Sequence, residues 1–273
     1  MRQLIVNADD FGRSSSVNRA VARCHQEGIL TSASLMVAGE AAEEAVALAR
    51  SLPRLGVGLH LTLVRGRCTA EPATLPGLVQ PDGSFDCNPV RAGLRYFFQR
   101  DLRAALRREI EAQFAAFHRT GLPLDHVNGH LHIHLHPTVF SLLLGHLLQT
   151  PRPIPCRLPR EPFLLHVRTG HPGRWAYRLS HALIFGLLTA WARPKLRRHR
   201  IPHTDRLFGL LETGRIDIDY LLRLLTQLPE GTAELYTHPD ENHAPHEVEA
   251  LTNPQVRSQI QAAGIKLIRY ADL

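Results

Sequence analysis

Strand-like and helix-like segments alternate along this chain from end to end, and that rhythm limits the available folds more than any other feature. QLIVNA (3–8) is a short apolar run rich in β-branched residues. Ser14 to Ser16 then offer an N-cap, Val17, Ala20, Val21 and Cys24 fall at helical spacing, and Gly28 suits the end of that helix. SASLMV (32–37) reads as a strand and EAAEEAVALAR (40–50) as a helix. LGVGLHLTL (55–63) alternates strictly, so Gly58, His60 and Thr62 share one face. A long amphipathic helix fits 98–119, LDHVNGH (124–130) is strand-like, and another helix starts after Pro137. IPCRL (154–158), TAELYTH (232–238) and IKLIRY (265–270) complete about seven strands, the last preceded by a helix opened by Pro254 and ending near Gly264.

Strands separated by helices pair in parallel through right-handed crossovers. With 273 residues, the expectation is an α/β fold: a single-domain distorted (βα) barrel of about seven parallel strands, its active site at their C-terminal ends. No GxGxxG follows the first strand, which argues against a dinucleotide-binding sheet. Neither a repeat nor a linker divides the chain, so one domain is expected over 1–273, with two interruptions. Residues 64–95, rich in Gly, Pro and Asp, read as a loop insertion, and residues 160–206 as an apolar and basic one. The second holds Trp175, the apolar stretch LSHALIFGLLTAW (179–191) and the basic run RPKLRRHR (193–200). That stretch is too short to span a bilayer; it reads either as a buried helix or as one dipping into a membrane interface beside anionic lipid.

A formal charge of +7 invites a nucleic-acid partner, but the basic run lacks interleaved aromatics and no nucleic-acid motif accompanies it, so none is expected. The four cysteines (Cys24, Cys68, Cys87, Cys156) are scattered without CxxC spacing, and nothing before the first strand resembles a signal peptide. Both features point to the cytoplasm.

Three strand ends carry residues fit for a metal site. The first ends in NADDFG with Asp9 and Asp10, the third bears His60, and the fourth runs into HVNGHLHIHLHP with His126, His130, His132, His134 and His136 at alternate positions. One Asp and two His from different strands commonly bind a divalent ion and leave positions open for water and substrate. Five alternating histidines cannot all reach one ion; one or two are expected to bind it while the others line a wall or support the ligands.

NADDFG, GLHLTL (58–63), HVNGHLHIHLHP (126–137) and YTHP (236–239), in that order, resemble the YdjC-like carbohydrate deacetylase family, which includes chitooligosaccharide deacetylases. The resemblance implies a distorted barrel, one divalent metal held by Asp10, His60 and His130, Asp9 as general base and His238 as general acid. Many members carry an acid where this chain has Asn128. The family is usually associated with Mg²⁺, whereas two imidazoles suit Zn²⁺, Co²⁺, Ni²⁺ or Fe²⁺ better. Asn128, His132, His134, Arg157, Arg160 and Glu161 are candidates to support the ligands or hold the sugar, the last three as an orienting group for Asp9 or simply a surface ion cluster.

EGILTSASLMVAGEAA (27–42), TGLPLDHVNGH (120–130), RLPREP (157–162) and FGLLETGRI (208–216) look most like the hopanoid biosynthesis-associated members. That likeness implies an N-acetylated amino-sugar substrate linked to a lipid, namely acetylglucosaminyl hopanoid, and a chain at the inner face of the cytoplasmic membrane. A soluble chitooligosaccharide substrate is the alternative. A non-catalytic sugar-binding or scaffold protein would need neither Asp9 nor His238. A homodimer is left open.

Overall fold

The computed structural model describes residues 1–273. In chain order the elements are β1 (Arg2–Phe11), α1 (Ser15–Glu27), β2 (Ser32–Leu35), α2 (Ala42–Ser51), β3 (Gly56–Leu61), α3 (Pro89–Phe98), α4 (Leu102–Arg119) and β4 (Leu124–Gly129). There follow α5 (Pro137–Leu147), α6 (Phe163–Thr169), α7 (Trp175–Arg198), β5 (Arg206–Phe208), α8 (Ile218–Thr226), β6 (Gly231–Thr237), α9 (Pro245–Thr252), α10 (Pro254–Ala262) and β7 (Ile265–Leu267). All strand pairs are parallel, in the order β4-β3-β2-β1-β6-β5. β7 pairs with Arg2–Leu4 of β1, on the edge where β2 takes over from Asn7 onward.

Contacts inside the sheet require it to be curled. On a flat sheet, β4 and β1 would lie three strand spacings apart, roughly 14 Å. Yet the Asn128 side chain on β4 donates to Asp9 Oδ1 on β1 at 3.2 Å. Residues 155–160 close most of the remaining gap. Val127 N–H donates to the Pro155 carbonyl at 2.8 Å, Arg157 N–H to Val127 O at 3.0 Å, and Leu207 N–H to Arg160 O at 3.0 Å. The expected strand at 154–158 is therefore an irregular strip with a single bridge, Val127 to Cys156. The seventh strand is instead β5, a three-residue element that sequence periodicity did not show.

Two other expectations change. The segment 64–95 is not wholly a loop, because Asn88 caps α3 by accepting from Val90 and Arg91 N–H; the helix expected over 98–119 begins at Leu102. The stretch 179–191 is helical within α7 but not buried. Arg178, Thr189, Ala192 and Leu196 face inward, while Leu179, Leu183, Ile184 and Leu187 are each more than half exposed. No helix is long and apolar enough to cross a membrane.

The outer face of the sheet packs on helices through an apolar core, but the inside of the ring is polar: Asn7, Ser34, His126, Asn128, Arg157 and Glu234 are all fully buried. Gly58 leaves room for one of them. A Cβ there would lie 2.5 Å from the His126 ring, which is bonded to Asp125 and Ser34 and stacked on Tyr270 at 4.3 Å. Because that ring has nowhere to move, Gly58→Ala should destabilise the fold by about 1–3 kcal/mol, read as a lower urea midpoint with unchanged slope.

Candidate metal centre

Neighbouring residues on a strand point to opposite faces, so Asp9 and Asp10 should not share a site. They do because β1 breaks its register with β2 between Ala8 and Phe11, and Asp10 takes a left-handed conformation at φ 63°. Such strain, about 1–3 kcal/mol, is typical of functional sites. The alternation expected across His130–His136 is likewise broken: β4 ends at Gly129, and Leu131 and His132 turn through φ 52° and 55°. Of the five alternating histidines, of which one or two were expected at the metal, His130 joins the candidate ligand group.

Asp10 Oδ1 lies 2.9 Å from His130 Nδ1 and 3.3 Å from His60 Nε2. The two imidazoles meet edge to face, 5.5 Å between ring centres. One donor atom from each of the three buried residues lies within 4.8 Å of the others. The tautomer of His60 follows from its surroundings. Its Nδ1–H donates to Asn128 Oδ1 at 2.7 Å, since the Asn128 amide nitrogen is committed to Ser34 and Asp9. His60 Nε2 is thereby left as a buried lone pair with no hydrogen-bond partner. A divalent cation fits this set: an orphaned imidazole nitrogen, a second imidazole and a carboxylate oxygen converge. Burial opposes charge on Asp10, but the imidazoles of His130, hydrogen-bonded to it, and of His60 beside it hold its carboxyl well below the usual range. Burial also works against charge on His60, yet Asp9 and Asp10 outweigh it and raise its pKa. The field there favours positive charge.

Asp9 stands beside this group. Arg157 grips it with two guanidinium bonds of 2.6 and 2.8 Å, while Asn7 and Asn128 add donors to Oδ1. Burial pushes its pKa up, but Arg157, His60 and His238 together hold it well below the carboxylate range. Oδ2 receives one bond only and keeps a lone pair free. His238 follows the end of β6, next to the end of β1, where Ala8 registers with Thr237. Asp9, Asp10, His130 and His238 line one cleft of about 330 Å³. Arg13, Arg65, Asp240 and His243 at its rim also line an adjoining groove of about 420 Å³.

Asn128 and Arg157 thus touch the centre, whereas other sequence candidates lie apart. His132 packs against Phe185 and Tyr236, and burial holds its pKa well below the usual value. His134 bonds the Arg157 carbonyl at 3.1 Å. The Arg160 side chain is exposed, and Glu161 joins a separate buried cluster with His166 at 3.3 Å. Two residues were not singled out from the sequence. Glu234 receives Arg157 through Nε and Nη2, the latter shared with Asp9, and Glu247 accepts the His238 backbone N–H at 2.6 Å with its Oε1 buried and unpartnered. Glu234 is the one charged residue of its strand, a signal visible in TAELYTH; Glu247, on a helix, gives none.

Two outcomes follow from these contacts. Asn128→Ala removes the acceptor that fixes His60, so metal affinity should fall by about 10–100-fold in competition titrations with a chromogenic chelator. Burial pushes His134 down to about 3. Its folded pKa lies below the unfolded value of about 6.5, so the unfolded state binds the extra proton, and the stability contribution is lost as pH falls from about 6.5 toward 3. His134→Gln retains a donor to the Arg157 carbonyl and should reduce the proton uptake on unfolding at pH 5 by about one.

A family model described as YdjC-like protein matches residues 3–262. The chain is 32% identical over 284 residues to a carbohydrate deacetylase of Geobacillus stearothermophilus, covering 99% of this chain and 98% of that protein. It is 36% identical over 155 residues to a chitooligosaccharide deacetylase of Proteus mirabilis, covering 55% and 57% of the two chains. The crystal structure of an Enterococcus faecalis V583 protein, titled as a cellobiose-phosphate cleavage protein, superposes with a TM-score of 0.76 at 23% identity, covering 99% of this chain and 98% of that one. Full-length matches in sequence and fold, on a chain whose strand ends gather Asp9, Asp10, His60, His130 and His238, lead to one conclusion: the chain belongs to the YdjC-like protein family.

Proposed function

We propose that the chain is a metal-dependent carbohydrate deacetylase that hydrolyses the N-acetyl group of an amino sugar carried on a lipid. The observation that carries this reading is the gathering of a free carboxylate oxygen and an imidazole around the Asp10–His60–His130 group in one cleft. The carbohydrate and chitooligosaccharide deacetylases among its relatives support the same reaction class.

Asp10, His60 and His130 would hold one divalent ion, for which Zn²⁺, Co²⁺, Ni²⁺ or Fe²⁺ suits the donors better than the Mg²⁺ expected from the family. When bound, the ion supplies Lewis acidity, polarising the acetamide carbonyl and acidifying water in the site. Asp9 takes the proton of the attacking water on Oδ2, the oxygen with a lone pair to spare, while Arg157 fixes the carboxylate plane. His238 gives a proton to the departing nitrogen, which cannot leave as an amide anion. Its ring makes no hydrogen bond within the protein, and Glu247 anchors its backbone.

The lipid-linked substrate, acetylglucosaminyl hopanoid going to glucosaminyl hopanoid, rests on the likeness of four sequence stretches and on α7. The exposed leucines of that helix are the surface expected of a chain working at the cytoplasmic face of a membrane. A soluble chitooligosaccharide is the second reading, favoured by the groove that continues the cleft past Arg65.

Acetate release from acetylglucosaminyl hopanoid and from chitobiose, assayed side by side, tests both. Release that a chelator abolishes, from the lipid but not chitobiose, is expected; release from chitobiose alone would remove the lipid. Asp9→Asn and His238→Ala should each lower turnover by about 100- to 10,000-fold with metal still bound, and near-native turnover in either would discard that residue's role.

A further inference from the structure

Two exposed apolar helix faces border the catalytic loop from opposite sides. On α3, Val90, Leu94, Phe97 and Phe98 are each more than half exposed; on α7, Leu179, Leu183, Ile184 and Leu187 are too. Phe97 meets His136 at 6.3 Å and Phe185 meets His132 at 5.1 Å, so the His130–His136 segment that carries a metal ligand lies between the two helices. Leu131, 43% exposed, sits in that segment and also lines the catalytic cleft.

Between the helices runs a second groove of about 750 Å³, with Phe97 at one wall, Trp191 at the other and Pro137 of α5 in its lining. Arg103 and Arg107, from the first turns of α4, and Arg100, from the turn just before it, line this groove together with Ala104. None of the three guanidinium groups has an ion-pair or hydrogen-bond partner in the protein, unlike Arg91 nearby, which is held by Asp86. Three unneutralised arginines facing one groove repel each other unless an anion joins them. Lys195, Arg197 and Arg198 add further positive charge at the end of α7. Apolar side chains flanking unpaired cations match an interfacial surface with anionic headgroups beside its acyl chains, and they do not match a soluble acidic partner.

We propose that this groove is a binding site for the phosphate of an anionic lipid headgroup, and that α3 and α7 together seat the chain on an anionic bilayer with the catalytic cleft at its surface. The proposal rests on the lipid-substrate reading and extends it to helix α3 and to Arg100, Arg103 and Arg107, which take no part in the chemistry.

Co-sedimentation of the metal-loaded chain with vesicles of phosphatidylglycerol and phosphatidylcholine, against phosphatidylcholine alone, provides the test. Wild type should bind the anionic vesicles, with affinity falling steeply in salt. A triple Arg100→Glu, Arg103→Glu, Arg107→Glu variant should bind on the order of 100-fold more weakly. Phe97→Asp with Phe98→Asp on α3, and Leu183→Glu with Leu187→Glu on α7, should each lose binding. Circular dichroism and acetate release from detergent-solubilised substrate should stay at wild-type level in all three. Binding unchanged in the arginine variant would overturn the headgroup site, and binding unchanged in the α3 variant would overturn the two-helix surface. Absence of wild-type vesicle binding, alongside turnover of the solubilised lipid, would overturn the docking surface while leaving the substrate reading intact. A dimer in analytical ultracentrifugation that the α7 variant dissociates, without vesicle binding by wild type, would assign this face to a second copy of the chain and equally overturn the proposal.

Discussion

Arg157 is the side chain around which the centre is built. It is fully buried, and an isolated guanidinium in that position would cost several kcal/mol. It is tolerated because Asp9 receives two of its N–H groups and Glu234 two. The residue also ties together parts of the ring far apart in sequence: its own N–H bonds Val127 of β4, its carbonyl accepts from His134, and its side chain reaches β1 and β6. The array carries one excess negative charge, spread by further donors: the Tyr270 hydroxyl on Glu234 Oε2, and Asn7 and Asn128 on Asp9 Oδ1. Removing Arg157 would strand two carboxylates in a dry interior, whereas removing Glu234 would leave the pair with Asp9 intact.

The same electrostatics explain why an amide, not an acid, stands at 128. The side chain of Asn128 has to accept from His60 and donate to Asp9 at once, and an amide offers both where a carboxylate offers no donor. A carboxylate there would serve His60 but place a second negative oxygen about 3.2 Å from Asp9, raising the cost of keeping Asp9 ionised. Arg157 already supplies the charge that keeps Asp9 ionised, so the amide adds orientation without adding charge.

Much of this was legible in the sequence. Strand–helix alternation gave the parallel curled sheet, because each strand buried on both faces reads as an apolar run. That an Asp and one or two His would meet was legible because the candidates sit at strand ends, and parallel strands bring their ends to one rim; the choice of Asp10, His60 and His130 among them came from the family resemblance. What escaped was set by tertiary contact. Residues 154–158 look like a strand, but Arg157 must turn inward toward two carboxylates, and the strip keeps one bridge only. β5 is three residues long, too short for periodicity to register. The histidine alternation did not show how the segment turns; left-handed conformations at Leu131 and His132 send His130, His132 and His134 to different surroundings.

The rigid interior and the exposed apolar helices belong to one mechanical unit. The inner side of α7 is pinned: Arg178 is paired with buried Glu212, and Thr189 donates to the Pro159 carbonyl at 2.9 Å, two residues past Arg157. Glu212 also receives the His171 N–H and precedes Thr213 and Gly214, which line the cleft of Asp9 and His238. Phe185, on the same helix, packs on His132, and His132 on Tyr236, whose hydroxyl bonds Thr213 at 2.6 Å. The leucines facing outward are therefore not those of a poorly packed helix. Their direction is fixed, through a few buried contacts, relative to the mouth of the cleft that Asp9 and His238 line.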